Sequence, residues 1–255
     1  MPPRPLHDRP LRVLALAAVA GLLLVASPAS ASLIAAWGFD DGTADDSSGS
    51  PIAYDLGAVN GGPDLTLGFA RFDGLEASPS FLEVGGPGGM PDWTVSLWVR
   101  SQGALDQGLF QGLMSNNSAA TANFSWQIES HGGLYQWRTR SGTFVIGAPS
   151  ALDAWDHVVI RKFGGNDGDL WLNGVQVGGN IGVNPGGLQN FRLGTNRNSD
   201  NFWQGDLDDV LVYDSVEDPA TLFASPPAQV PEARLASLCG LIAIAWLLRA
   251  REHSD

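Results

Sequence analysis

The residues best suited to chemistry in this chain are its aspartates. Residues 32–229 contain 23 of the 27 acidic residues and 8 of the 14 basic ones, which gives this stretch a net charge of −15. Nineteen of those 23 acids are Asp, a residue that favours turns, helix caps and compact sites with oxygen ligands. In the run Gly205–Tyr213, alternation places Asp208 on the same face as Val210 and Val212. A carboxylate on an apolar face must be paired, protonated or bound to a metal.

The spacing of these acids does not indicate catalysis. Hydrolysis of a glycosidic bond needs two carboxylates across the bond, and Asp206, Asp208 and Asp209 come closest to such a strand. The chain has no Gly-x-Ser-x-Gly or His-Glu-x-x-His motif, and its single cysteine, Cys239, lies near the C-terminus. We expect His157 to be structural. The sequence therefore predicts a protein that is not an enzyme, and its acidity argues against a nucleic-acid partner.

Aromatic side chains offer a second kind of chemistry, the stacking of rings on sugar faces. Eight of the nine tryptophans lie in residues 32–229. We predict that Trp126, Trp137 and Trp203 are exposed and bind a ligand, with Arg138 supplying hydrogen bonds. The alternative is that a sandwich of this size uses these rings in its core.

The stretch that must position these side chains is typical of an all-β fold. Short β-branched and aromatic runs are separated by Gly, Asn, Asp and Pro, with almost no helical periodicity. Asn173-Gly174 lies between two alternating runs and predicts a tight hairpin. One short helix is predicted over Asp218–Phe223, with Asp218 as its cap and Pro219 at its first position. The predicted strands are Leu33–Phe39, Ala70–Asp73, Phe81–Val84, Thr94–Arg100, Leu109–Met114, Phe124–Glu129, Leu134–Thr139, Thr143–Ile146, His157–Phe163, Asp169–Asn173, Val175–Val177, Phe191–Leu193 and Gly205–Tyr213.

The first 31 residues have the pattern of a secretory signal peptide. Three arginines precede an uninterrupted apolar run, Val13–Val25, and Ala29 and Ala31 supply the small residues of a cleavage site. The alternative is an uncleaved membrane anchor, but this run is shorter than the about 20 residues that usually span a bilayer. We therefore expect the protein to be exported.

The C-terminus has a second apolar segment. Residues 225–234 form a Pro-rich linker, residues 235–248 an apolar stretch, and residues 249–255 a tail that begins with basic residues. A helix over the apolar stretch would be about 21 Å long, shorter than a hydrocarbon core of about 30 Å. The arginines after it would stay in the cytoplasm. The segment is thus predicted to be a short membrane or sorting helix.

Nine fragments of the middle stretch follow one another in an order that resembles a known family. They begin with Ala36-Trp37-Gly38-Phe39-Asp40, continue through Trp93–Val99 and end with Gly205–Tyr213. Together they are similar to the laminin-G-like branch of the concanavalin A-like lectin/glucanase superfamily. The resemblance implies a two-sheet antiparallel jelly-roll sandwich over residues 32–224. This fold occurs in lectin-like modules, adhesion modules and some glycosidases, so it does not determine the function by itself.

The same resemblance links two groups of aspartates. In this family the first and last strands run close together, and some members hold a structural calcium ion. Asp40 and Asp46 lie in a Gly/Ser-rich loop near the first strand, and Asp208 lies on the last. Their oxygens suit Ca²⁺, which takes 6–8 oxygen ligands. We predict a calcium site with these three residues; the alternative is a solvated acidic loop.

The C-terminal segment carries a second resemblance. Val230-Pro231-Glu232, followed by the apolar stretch and arginines, is similar to the PEP-CTERM sorting signal, although Ala233 stands where that family has a second proline. The resemblance implies recognition by an exosortase-type enzyme of a Gram-negative bacterium, with transient anchoring in the inner membrane. The final location would be the cell envelope, its outer surface or the extracellular matrix. The alternative is a plain membrane anchor.

These expectations combine into one functional hypothesis. We expect an exported, non-catalytic, laminin-G-like binding module whose ligand is polysaccharide. The first alternative is a structural or adhesion protein of the matrix that binds surface proteins rather than sugar. The second is a glycan hydrolase, which would require two carboxylates about 5–9.5 Å apart in a cleft.

Overall fold

The computed structural model describes residues 32–75, 79–102, 109–116, 125–182 and 186–224 of the 255-residue chain. The predicted signal peptide, Pro-rich linker, apolar C-terminal helix and basic tail lie outside the described residues. The same is true of the predicted cleavage residues Ala29 and Ala31 and of the sorting motif Val230-Pro231-Glu232. Within the described ranges, no helix is long and apolar enough to cross a membrane.

The described part of the chain consists of fourteen β-strands and one short helix. The elements in chain order are β1 (Leu33–Trp37), β2 (Gly57–Val59), β3 (Ala70–Asp73), β4 (Phe81–Gly88), β5 (Trp93–Ser101), β6 (Gln111–Asn116), β7 (Trp126–His131), β8 (Leu134–Arg138), β9 (Thr143–Gly147), β10 (Trp155–Phe163), β11 (Asp167–Leu172), β12 (Val175–Gly182), β13 (Leu188–Leu193), β14 (Gln204–Tyr213) and α1 (Pro219–Phe223).

In these ranges the strands form two seven-stranded antiparallel sheets. The first sheet has the order β1-β14-β5-β10-β11-β12. β3 also pairs with β14, along the first half of β14, which β1 does not reach. The second sheet has the order β2-β4-β13-β6-β7-β8-β9. The last strand, β14, thus lies beside the first, β1. The prediction of an all-β, two-sheet antiparallel sandwich of the jelly-roll type is confirmed.

The core lies between the sheets because alternate positions of the strands are apolar. In β5, Val95, Leu97 and Val99 belong to the core and have no exposed surface. The other face of β5 is also buried, in part because Phe223 of α1 stacks on Trp98 with ring centroids 5.7 Å apart. A strand that is covered on both sides is the reason why neither face of this run is strongly polar.

The hairpin predicted at Asn173-Gly174 joins β11 to β12. Both residues have positive φ, 51° and 73°, as a tight turn between twisted strands requires. The Asn173 side chain fixes the turn to β10: its Oδ1 accepts from His157 N at 2.8 Å and its Nδ2 donates to Asp156 Oδ1 at 2.8 Å. The predicted cap of α1 is also present, since Asp218 Oδ1 accepts from Ala220 N at 3.0 Å.

Candidate functional site

The outer face of the second sheet, the side that points away from the core, carries a row of polar side chains. Because side chains alternate along a strand, the residues between them point into the core, as the fully buried Ile128 and Trp137 do. The row crosses five neighbouring strands and consists of Glu83, Arg192, Ser115, Gln127 and Arg138.

Glu129 and Arg138 form an ion pair on this face, towards the edge that β9 forms. Glu129 of β7 has no exposed surface, and its Oε1 lies 2.9 Å from Nη2 of Arg138 on β8. Arg138 Nε donates to both carboxylate oxygens, at 3.0 and 3.2 Å, and the side-chain amide of Gln127 also donates to Glu129. Such charge-assisted bonds fix the direction of a guanidinium. Because 25% of the Arg138 side chain is exposed, this group is both fixed and accessible.

An aromatic ring lies directly on this arginine. Phe110 precedes β6, and its ring centroid is 4.3 Å from Arg138 Cζ, close enough for a cation–π contact. The His131 ring stacks on Phe110 with centroids 3.9 Å apart and an angle of 22° between the planes. Phe110 is 36% exposed, so it offers an apolar surface beside a guanidinium. We call Phe110, Gln127, Glu129, His131 and Arg138 the Arg138 cluster.

The loop of residues 194–203 covers one side of the Arg138 cluster. It crosses the sheet at Gly112, where a Cβ would lie 2.1 Å from Asn196 N and 2.2 Å from the carbonyl carbon of Thr195. Only glycine permits such an approach of two backbones. The loop is tied to the cluster because Arg197 N donates to Gln127 Oε1 at 3.1 Å. Gly112 therefore determines where this loop lies.

The three tryptophans that were predicted to bind sugar lie in the core instead. Trp126, Trp137 and Trp203 have no exposed surface. Trp93 stacks on Trp126, with centroids 5.3 Å apart, and meets Trp137 edge-on at 6.0 Å. Rings that solvent does not reach cannot stack on a sugar, so the prediction for these three residues was wrong. Of the four predicted ligand-binding residues, Arg138 is the one that lies on the surface.

Three aspartates approach one another where β1 meets β14. A Cβ on Gly38 would lie 3.4 Å from Asp209 Oδ1 and 3.8 Å from Asp40 Oδ2. Burial raises the pKa of Asp208 to about 8, and the neighbouring charges of Asp209 and Asp40 contribute. Burial and Asp40 also raise the pKa of Asp209. The bond from Asp209 N to Asp208 Oδ1, at 2.8 Å, brings no positive charge, so the three carboxylates repel one another.

Asp46, the third residue of the predicted calcium site, has another role. Its Oδ1 accepts from Ala36 N at 3.0 Å and from Ser48 N at 2.9 Å, and its Oδ2 accepts from Tyr54 N at 3.0 Å. These bonds organise the loop after β1 and engage both oxygens of Asp46 with backbone N–H groups, so its role as a calcium ligand stays a prediction. Across the described ranges, no group of three or more His, Cys, Asp or Glu side chains is arranged to hold a metal ion.

A serine and a histidine meet on the outer face of the first sheet. Ser96 Oγ lies 2.7 Å from His157 Nε2, and burial lowers the pKa of His157 to about 4. The other ring nitrogen, Nδ1, is buried and has no hydrogen-bond partner among the described residues. A serine nucleophile needs a base that a third group orients, and Trp98 and Phe223 cover this ring instead. These are the contacts of a packing residue.

Some of these residues could have been found in the sequence. The short turn after His131 pairs β7 with β8, so counting back from it places Gln127 opposite Arg138. By contrast, Phe110 lies outside that hairpin, and no local pattern brings it to Arg138. Asp209 was also not grouped with the other aspartates from sequence alone. Its backbone has a positive φ of 41° where the pairing of β14 with β5 is irregular, and the alternation of residue types does not predict such an irregularity.

The architecture and the polar outer face can now be compared with known proteins. A family model named Laminin_G_3, of the concanavalin A-like lectin/glucanases superfamily, matches residues 86–222. The chain belongs to this family. The Laminin_G_3 match includes the Arg138 cluster, Asp208 and Asp209, whereas Asp40 precedes it. No curated protein matches the chain.

Solved structures share this fold at low sequence identity. Domain 4 of AbnA, a GH43 extracellular arabinanase from Geobacillus stearothermophilus, was solved in complex with arabinotriose. It is 19% identical, with a TM-score of 0.55 over 76% of this chain and 99% of that chain. The binding domain of Paraclostridial Mosquitocidal Protein 1 is 20% identical, with a TM-score of 0.54 over 75% of this chain and 52% of that one. The botulinum neurotoxin serotype C1 binding domain is 10% identical, with a TM-score of 0.58 over 75% and 51%. The chain thus spans about half the length of these two binding domains.

Proposed function

We propose that this chain is an exported, non-catalytic module that binds polysaccharide through the Arg138 cluster. The observation that carries the proposal is the exposed Phe110 ring, which lies against Arg138 and His131 on a polar sheet face. A ring for stacking and a fixed hydrogen-bond donor are the contacts by which proteins hold sugars. Because Glu129 and Gln127 already orient Arg138, binding of a ligand costs little further side-chain entropy. The oligosaccharide held by the AbnA domain supports the choice of ligand.

The acids of this face favour binding over hydrolysis. Glu129 is buried and paired with Arg138, and Glu83 is paired with Arg192. A general acid for glycoside hydrolysis needs access to the scissile bond. Glu129 has no exposed surface, and both glutamates are engaged by their arginines. We therefore assign these glutamates a positioning role for the two arginines.

A glycan array with matched variants tests the proposal. Phe110→Ala removes the exposed ring and should weaken binding to the recognised glycan by about tenfold or more, since aromatic contacts dominate such sites. Phe223→Ala is the control, because this ring is similarly exposed, at 38%, but lies on α1 over the first sheet. No binding to any glycan, or equal loss in both variants, would overturn the proposal.

A second candidate, adhesion to surface proteins, is favoured by the edges of the sandwich. The edge strands β9 and β12 lie against each other at one side, and they carry the exposed residues Val145, Val175 and Val177. Unpaired edge strands with apolar side chains can add a strand from another chain. If this is the function, the array stays empty and Val175→Lys reduces attachment to surface proteins, whereas Phe110→Ala does not.

We also propose that both termini direct the protein to its destination. Cleavage after Ala31 would release the signal peptide, and the motif Val230-Pro231-Glu232 would present the tail to an exosortase-type enzyme in the inner membrane. Mass spectrometry of the mature protein from a Gram-negative host that has such an enzyme tests both steps. We expect an N-terminus at Ser32, loss of the segment after the motif, and retention of the full tail when Pro231 and Glu232 are replaced by alanine.

Finally, we propose that Asp40, Asp208 and Asp209 hold a calcium ion. The residue types suit this ion, because carboxylates supply the hard oxygen ligands that Ca²⁺ prefers and the three repel one another without it. Within the described residues, the three side chains are not arranged as a metal site, so binding would have to draw them together. The ion would supply the positive charge that keeps these acids ionised at neutral pH. Its role would be structural, since it would join the loop after β1 to β14.

A further inference from the structure

A cavity that shares no residue with the Arg138 cluster lies at another part of the sandwich. Its volume is about 330 Å³, and it is formed by the connection after β4, the end of β10 and the segment before β13. Glycines make up much of its wall, including Gly89, Gly165 and Gly187, so backbone rather than side chains borders the space. Cavities of this size hold small ligands.

The cavity is lined by Lys162, the one lysine of the whole chain. Lys162 is 95% buried by surface area, with 5% exposed. Its Nζ donates to Met90 O at 2.9 Å and to Pro91 O at 2.5 Å. An ammonium has three N–H donors, and the third has no hydrogen-bond partner among the described residues. Two carbonyls orient this cation but do not cancel its charge.

The nearest acid does not neutralise Lys162. Asp92 acts on it through space, but no carboxylate in the described ranges lies within ion-pair distance of Nζ. Asp92 Oδ1 is engaged by the backbone N–H of Gly164 at 3.0 Å. By contrast, the partly buried Arg138 and Arg161 each pair with a carboxylate. Lys162 is thus an exception in a stretch that is rich in acids. A buried cation without an anion is costly unless a partner supplies the charge.

We infer that this cavity binds a carboxylate group, which completes the hydrogen bonds of Lys162 from inside the cavity. A carboxylate would accept the third N–H in a charge-assisted bond. Gln189 also lines the cavity; its Oε1 accepts from Asn116 Nδ2 at 2.9 Å, which leaves its amide N–H groups for a ligand. Two sources share this chemistry: an acidic sugar unit, such as a uronic acid, and a small organic acid. The inference does not rest on the proposed function, because it involves other residues.

Titration calorimetry on the full chain tests the inference with three probes: glucuronate, its neutral counterpart glucose, and acetate. We expect glucuronate to bind at least tenfold more tightly than glucose. Acetate binding as well as glucuronate would identify a small organic acid as the ligand class, and glucuronate binding better than acetate would identify an acidic sugar. Either result supports a carboxylate site. Equal binding of glucuronate and glucose, or no binding of either acid, would overturn it.

Two variants locate the site. Lys162→Met removes the cation and should abolish the preference for glucuronate over glucose. Because that variant could fail to fold, Gly89→Phe provides a second measurement: Gly89 lines the cavity and a Cβ there meets nothing within 4 Å, so a ring has room beside the space that the acid would occupy. Gly85→Phe is the matched control, because Gly85 also has open space but does not line the cavity. Retained acid binding in Gly89→Phe would overturn the inference, as would equal loss in both glycine variants.

Discussion

Asp206 and Asp208 lie two residues apart on β14, and both are buried, but their surroundings differ. Asp206 accepts from Arg71 at 2.9 Å, from Arg100 Nε at 2.7 Å and from Gln102 at 2.9 Å. Arg100 in turn lies over the rings of Phe69 and Trp155. Burial raises the pKa of Asp208 to about 8, and the charges of Asp209 and Asp40 contribute to this rise. The difference shows that burial of a carboxylate is tolerated or opposed according to the charges that the neighbouring strands supply.

The largest loss of stability is expected when Asp206, the aspartate with arginine partners, is replaced. Asp206→Ala leaves Arg71 and Arg100 without their carboxylate, and loss of one partner of a buried ion pair costs about 3–5 kcal/mol. Because Arg71 is partly exposed, we expect the lower end, about 3 kcal/mol, in urea unfolding. Asp45→Ala, at an exposed position, should cost less than about 0.5 kcal/mol. Similar values for both variants would remove the distinction between the two aspartates.

Calcium should stabilise the protein by binding near Asp208, which lacks, among the described residues, arginine partners of the kind that Asp206 has. An ion bound by the folded state alone adds about 2.7 kcal/mol to the free energy of unfolding at a hundred times its Kd. We expect calcium to raise the Tm of the wild-type protein and EDTA to lower it again. Asp208→Asn should remove the response. Asp46→Ala should lower the Tm through the loss of three backbone hydrogen bonds but keep the response to calcium; loss of the response in that variant would restore Asp46 as a ligand.

In EDTA, Asp208→Asn should stabilise the protein in alkaline solution. The folded-state pKa of about 8 lies above the ordinary value of 3.8, so the stability that protonated Asp208 contributes is full below pH 3.8 and is lost as the pH rises to about 8. Asparagine keeps the acceptor for Asp209 N without the charge. At about 1.4 kcal/mol per pKa unit, this shift sets an upper limit of about 6 kcal/mol. Because relaxation and solvent screening reduce it, we expect a gain of about 2 kcal/mol at pH 8 and almost no gain at pH 4. A gain that does not depend on pH would contradict the electrostatic cause.

The smallest effect is expected at Asp209. Its pKa is also raised by burial and Asp40, but it is less buried than Asp208, so solvent screens more of its charge. Asp209→Asn in EDTA at pH 8 should therefore add about 1 kcal/mol or less to the free energy of unfolding, measured by the same urea titration. A larger gain than that of Asp208→Asn would reverse the order proposed for the two acids.

Local alternation predicted most of the fold. The strand around Val95, Leu97 and Val99 and the Asn173-Gly174 hairpin follow from residue types alone, because a period of two and a turn with positive φ are local properties. β2 was not predicted, since Gly57 and Ala58 are exposed and carry no apolar pattern. An edge strand of three residues forms because β4 offers a partner, which is not a local property.

The candidate site was predicted less well because it depends on contacts across the sheets. Alternation groups Trp126 with Ile128, but it does not tell which of the two faces meets the core, and the rings were assigned to the wrong one. The Arg138 cluster needs Phe110 from outside the hairpin. The sequence placed Asp208 on the face of Val210 and Val212, which was wrong: the pairing of β14 with β5 is irregular after Asp208, so Asp208 lies opposite Trp98 on the other face. Asp46 required knowledge of where the loop backbone turns.

The burial of Lys162 has a practical consequence for work with this protein. It carries the chain's one side-chain amine, and that amine is held inside a cavity by two carbonyls. Succinimidyl dyes and glutaraldehyde, which attack free amines, should therefore react with the folded chain at its N-terminal amino group rather than at Lys162. A single fluorophore at a known position, or oriented immobilisation through that end, thus requires no engineering of either sheet face.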